Sequence, residues 1–175
     1  MPANTSPIFT MSPEIMWSVN MNVANTTNIS GGTGYLVFSA GTNGSYVQKI
    51  RFRHQSTNTT NSQANVVRVF INNGGASGTT ANNAIWDEIT IATNTVSQVA
   101  ASANYELPLN FALPAGYTIY CTLGSNTTAN SFIQAIVIGG DYLYHFGLKN
   151  LCHTYIIYPI EMKGEFKFFI LMEHG

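Results

Sequence analysis

A chain of 175 residues with 15 Asp, Glu, Lys and Arg side chains and a formal net charge of -1 is long enough to fill one core. It has too little charge of either sign to hold nucleic acid or an anionic membrane surface by its field alone. Charged residues make up 9% against a usual share of about 25%, so solubility rests on neutral polar groups: 19 Asn and 19 Thr, 36 of them before Leu143. Thr suits strands, Asn suits turns, and both are mediocre inside helices.

The first fourteen residues, MPANTSPIFTMSPE, read as a proline-bearing arm, uncharged until Glu14, without the basic-then-apolar order of a secretory leader. No apolar run in the chain approaches the roughly 20 residues of a membrane-spanning helix. From residue 15 the pattern turns to short β-prone segments at 15–23, 34–39, 46–54, 65–71, 84–91, 104–113, 117–123 and 131–138. The breaks between them include AGTNGS, NNGGASGTT, LPAG and GSNTTAN, which carry turn chemistry. Eight short strands at near-even spacing, with no helical stripe between them, predict an all-β sandwich or barrel.

Alternation assigns faces. Tyr105, Leu107, Leu109 and Phe111 share one side of their segment, and Tyr117, Ile119, Cys121 and Leu123 share one side of theirs. The segment SFIQAIVI is apolar on both sides, which places it centrally or under cover. Pro108 has no backbone donor and points to an edge strand or a bulge. If 46–54 and 65–71 pair antiparallel around the loop QSTNTTNSQA, the register that keeps faces consistent opposes Ile50 to Val69 and Phe52 to Val67. Lys49, Arg51, Arg53, Val66, Arg68 and Phe70 then form one basic patch with apolar insets. Two readings of that patch stand: a solvated strand face, or a subunit interface, where arginine beside apolar groups is favoured. A nucleic-acid site is disfavoured, because stacking platforms and net positive charge are both missing.

A search for chemistry returns little. GGTG at 31–34 has neither dinucleotide-binding nor phosphate-loop spacing and reads as a turn. There is no G-x-S-x-G elbow. His54 is the single histidine before Leu143 and reads as a polar strand-end residue. Cys121 and Cys152 read as inert thiols. Cys152 and His153, being adjacent, point to opposite faces of a strand and make a poor metal pair. No cofactor is expected. Trp86, Asp87 and Glu88 admit two readings: a sugar-binding platform, or a rim tryptophan beside acids that answer the arginines.

After Tyr142 the composition shifts. Residues 143–175 hold six of the 15 charges, three of the four histidines and seven of the 21 aromatics. TYIIYPIEMKGEFKFFIL suggests a hairpin about Lys163-Gly164, apolar on both faces. The expected organisation is an arm over 1–14, a sandwich over 15–142 and an atypical extension over 143–175.

The segments GSYVQKIRFRHQSTNT, VVRVFINNGG, NNAIWDEITI, ELPLNFALPAGYTIYCTLG and the closing GGDY resemble small virion structural proteins of tailed bacteriophages: head decoration proteins, head fibres or tail components. The strand–LPAGY–strand step also resembles trimeric jelly rolls of the tumour-necrosis-factor and C1q kind. The resemblance covers about residues 1–142 and implies a jelly-roll-like antiparallel β-sandwich. It also implies a non-enzymatic homotrimer that binds other virion proteins such as the major capsid protein, in a virion assembled in the bacterial cytoplasm. The alternative is a carbohydrate- or receptor-binding module of a phage fibre, with Trp86 touching glycan.

Overall fold

The computed structural model describes residues 10, 12–25, 34–57 and 60–142, and the backbone of 158–162 and 165–169. The chain divides into two compact units, Met1–Leu143 and Tyr144–Gly175. The first contains β1 (Ser12–Trp17), β2 (Tyr35–Ser39), β3 (Ser45–Ser56), β4 (Asn65–Asn72), β5 (Asn83–Ile91), β6 (Tyr105–Leu113), β7 (Thr118–Leu123) and β8 (Ser131–Asp141), with a 3-10 turn at Thr80–Asn82. The second contains β9 (Tyr158–Met162) and β10 (Glu165–Phe169), an antiparallel pair in which Met162 opposes Glu165. No helix among the described residues is long and apolar enough to cross a membrane.

The eight strands form two four-stranded sheets, ordered β1-β8-β3-β6 and β2-β7-β4-β5, with every pairing antiparallel. The β4–β5 step alone stays within one sheet; the other six connections cross between sheets. Strands pair as β1 with β8, β2 with β7, β3 with β6 and β4 with β5, the pattern of one long folded ribbon rolled up on itself. That is a jelly roll.

All eight predicted segments are strands, and the predicted inward faces hold. Ile50, Phe52, Val67 and Val69 are 0–1% exposed, and Ile119, Cys121 and Leu123 are 0% exposed. They join Val47, Leu107, Leu109, Ile133, Ala135 and Val137 in one core between the sheets. Each buried Phe, Ile or Leu there contributes about 1.5–3 kcal/mol. Pro108 lies on edge strand β6, beside a register shift against β3. Asn110 next to it has φ 51°, a left-handed conformation that Asn tolerates better than most residues.

The predicted β3–β4 pair does not form. β3 lies between β8 and β6, and β4 lies between β7 and β5. Ile50 and Phe52 therefore join Val67 and Val69 in the core from opposite sheets. Alternation had the sides right, because parity follows from the chain alone, but not the neighbours. The first strand is also shorter than expected. After Trp17 the chain leaves the sheet edge: Met21 bridges Ile133 in the first sheet, and Ala24 bridges Leu123 in the second. The Tyr35 hydroxyl fixes this crossing by accepting the Asn22 and Val23 amides at 3.1 and 2.8 Å.

The two glycines of the GGDY segment, at the end of β8, have a steric reason. A Cβ on Gly139 would stand 2.5 Å from the Tyr46 carbonyl oxygen on β3, and one on Gly140 would stand 2.8 Å from the Ser12 carbonyl oxygen on β1. Two strands crowd this position from either side, and only glycine fits. Asp141 then accepts hydrogen bonds from the Ser45 hydroxyl and the Gly41 amide, and the Tyr142 amide donates to the Gly44 carbonyl at 3.0 Å. The end of β8 is thereby tied to the β2–β3 turn.

Candidate functional site

Registers fix the outer face of the β1-β8-β3-β6 sheet row by row. One row runs Ile15, Ile138, Lys49, Pro108, and the next runs Trp17, Ile136, Arg51, Glu106. The β1–β8 half is apolar and the β3–β6 half is ionic. On the apolar half Ile15 is 61% and Trp17 65% exposed, and Val19 just beyond β1 is 71% exposed. On the ionic half Glu106 accepts from Lys49 Nζ at 2.9 Å and from Arg51 Nε and Nη2 at 3.0 and 2.8 Å. Those bonds, Lys49's first and then Arg51's, hold the Glu106 carboxyl below its ordinary range. Arg53 extends the cationic line, exposed opposite Gln134, and makes no ion pair among the described residues.

The predicted six-residue basic patch is split. Lys49, Arg51 and Arg53 share this face, whereas Val66 and Arg68 occupy the outer face of the other sheet. There Arg68 is opposed by Glu88, not by another arginine, and Nε donates to Glu88 Oε1 at 2.6 Å. Phe70, on the same side by alternation and opposite Tyr120, is 3% exposed. The apolar insets that do accompany Lys49, Arg51 and Arg53 are Ile136, Ile138, Ile15 and Trp17. The sequence carried a signal for the last two, alternation through Ile15, Trp17 and Val19, but alternation alone does not say which side of an edge strand faces out.

Trp86, Asp87 and Glu88 lie on edge strand β5. Val69 opposes Asp87 while Phe70 opposes Ile85, so Trp86 is the extra residue of a β-bulge. The bulge turns the indole onto Phe111 of β6, with ring centroids 4.7 Å apart at 54°, and leaves Trp86 49% exposed. Asp87 Oδ1 accepts the Glu88 amide at 2.7 Å, and Glu88 serves Arg68.

His54 is not a polar strand-end residue. It is 7% exposed on the inner side of β3, with Nε2 3.1 Å from the Ala92 carbonyl. Burial depresses its pKa. It lines a cleft of about 80 Å³ with Ser56, Thr60, Ser62, Asn94 and Ser131, polar and large enough for a few waters. Burial pushes the Cys121 thiol up, away from reactivity; Cys152 lies outside the described residues. No cluster of three or more His, Cys, Asp or Glu stands ready for a metal among the described residues.

No protein-family model matches the chain, and no curated protein matches it. Among solved structures, a chain of the Cyanophage Pam1 capsid asymmetric unit is similar to it at 15% identity and a TM-score of 0.35, over 82% of this chain and 94% of that one.

Proposed function

We propose that the protein is a virion structural protein of a tailed bacteriophage, a decoration or fibre component of the capsid surface. It acts by binding its own copies, as a homotrimer, and the major capsid protein. The observation that carries this reading is the outer face of the β1-β8-β3-β6 sheet. A row of large exposed apolar side chains beside arginines is costly to leave in water and matches the composition of protein interfaces. The resemblance of the GSYVQKIRFRHQSTNT-to-GGDY segments to small phage virion proteins supports the same reading. Antibody against the purified protein should decorate intact phage particles under electron microscopy. Signal confined to host cytosol, with bare particles, overturns it.

A glycan- or receptor-binding module built on Trp86, Asp87 and Glu88 is the weaker reading. The indole packs on Phe111, Asp87 holds its own backbone and Glu88 holds Arg68. A glycan array with the parent chain and Trp86→Ala decides it, since binding lost on that substitution would favour the module.

A further inference from the structure

Edge strand β5 carries two further exposed apolar side chains, Ile85 at 54% on the outer side opposite Phe70 and Trp86 at 49% on the bulge turned toward β6, and the charge beside them is opposite to that of the β1–β8 face. Asp87 and Glu88 flank them, with Arg68 the single cation alongside. On its outer side the β1–β8 face is flanked by Lys49, Arg51 and Arg53, with Glu106 in the same rows; Glu14 of β1 and Asp141 of β8 have the opposite parity. Arg53 on one patch and Asp87 on the other both lack an ion-pair partner among the described residues.

The two patches also lie at opposite sides of the sandwich. β1 is the edge of one sheet and packs near β2, the edge of the other; β5 and β6 are the two remaining edges, joined by the Trp86–Phe111 contact. A molecule cannot bring its own two patches together, but two copies can. We propose that the β5 patch of one copy (Ile85, Trp86, Asp87) docks on the β1–β8 face of the next (Ile15, Trp17, Arg53), a head-to-tail contact in which Asp87 meets Arg53. This deepens the assembly reading above by naming the occupant of the face: a second copy of this chain, through a different surface. Such a contact leaves one unused patch at each end of an open chain and is satisfied throughout when the copies close into a ring.

Mixing variants tests the geometry. Trp17→Glu spoils the face, and Ile85→Glu spoils the β5 patch. Each alone should weaken self-association about 30-fold or more by analytical ultracentrifugation, as loss of a central contact does. Mixed together they should form a dimer with one intact junction, the β5 patch of the Trp17→Glu chain on the face of the Ile85→Glu chain. Arg53→Asp and Asp87→Arg should each weaken association about tenfold, and a chain carrying both should recover. Circular dichroism melting confirms that each variant is folded, since all four positions are exposed or partly so. Two results overturn the proposal. One is a parent chain that stays monomeric at high concentration. The other is Trp17→Glu abolishing association while Ile85→Glu and Asp87→Arg leave it untouched, which would mean a symmetric contact. The latter leaves the virion reading standing; bare particles in the antibody experiment would remove that reading without touching this contact.

Discussion

The two outer faces of the sandwich cover one core and differ most along their central strands; at its edges even the more closed face leaves Leu36 44% and Ile85 54% exposed. On the β2-β7-β4-β5 sheet, Thr122 is 0% and Phe70 3% exposed, and Arg68 Nη1 is buried without a partner. On the β1-β8-β3-β6 sheet, Ile15 and Trp17 stand more than half exposed, while Lys49 and Arg51 share a carboxylate at the surface. A jelly roll thus specifies an inside twice over and leaves each outside free to be a finished surface or an unfinished one. The difference marks where binding is to be sought.

Substitutions can break that contrast, beginning with what both faces share. Phe52→Ala should cost about 3–5 kcal/mol by denaturant unfolding, since it empties a fully buried site. Phe70→Ala should cost nearly as much, about 3 kcal/mol, although its side chain points away from the core cluster; a loss below about 1 kcal/mol would show that this face is open too. Gly139→Ala should cost about 2 kcal/mol or more through the clash with the Tyr46 carbonyl, with the core composition untouched.

Acid should act through two groups of opposite sign. His54 is held below its ordinary 6.5, so the unfolded chain takes up the proton first. Its contribution is whole above 6.5 and is lost as pH falls from there toward the lowered value. Glu14 on β1 is raised above 4.5, first by burial and then by the neighbouring Asp141 carboxylate, so its contribution is whole below 4.5 and lost as pH rises through the raised value. His54→Gln should flatten the melting curve's pH slope just below 6.5. Glu14→Gln should raise the melting temperature at pH 7 by about 1–3 °C.

Smaller still, Trp17→Ser should leave monomer stability within about 0.5 kcal/mol while weakening self-association, the reverse of Phe70→Ala. A chain ending at Tyr142 should melt cooperatively at nearly the parent temperature, as seen by calorimetry; loss of the transition would mean that residues 143–175 supply part of the sandwich.

Strand existence and inward parity were legible because both are local: alternation in YTIYCTL and in KIRFRH follows from a two-residue repeat that the chain imposes on itself. Pairing was not. The constant-sum register between 46–54 and 65–71 was self-consistent, yet β3 and β4 lie in different sheets, because a register argument tests an assumed adjacency and never the adjacency itself. The split of the arginines followed directly from that error. Glu106 as the partner of Lys49 and Arg51 was invisible for the same reason, lying 57 and 55 residues away. The bulge at Trp86 breaks the two-residue repeat for one step, which a pattern search reads as noise.

The rolled-ribbon topology also sets an order of events in synthesis. β4 and β5 are close in the chain, whereas β1 pairs only with β8, and β8 ends at Asp141. A ribosome therefore releases the first strand long before its partner exists, and contacts of such long range close slowly. Trp17 and Ile15 acquire their places beside Ile136 and Ile138 only when β8 has been made and threaded between β1 and β3. A truncated or stalled chain has the sticky residues but not the surface. Completion of β8 thus acts as a checkpoint: the outer face of the β1-β8-β3-β6 sheet exists only on molecules whose sandwich has closed.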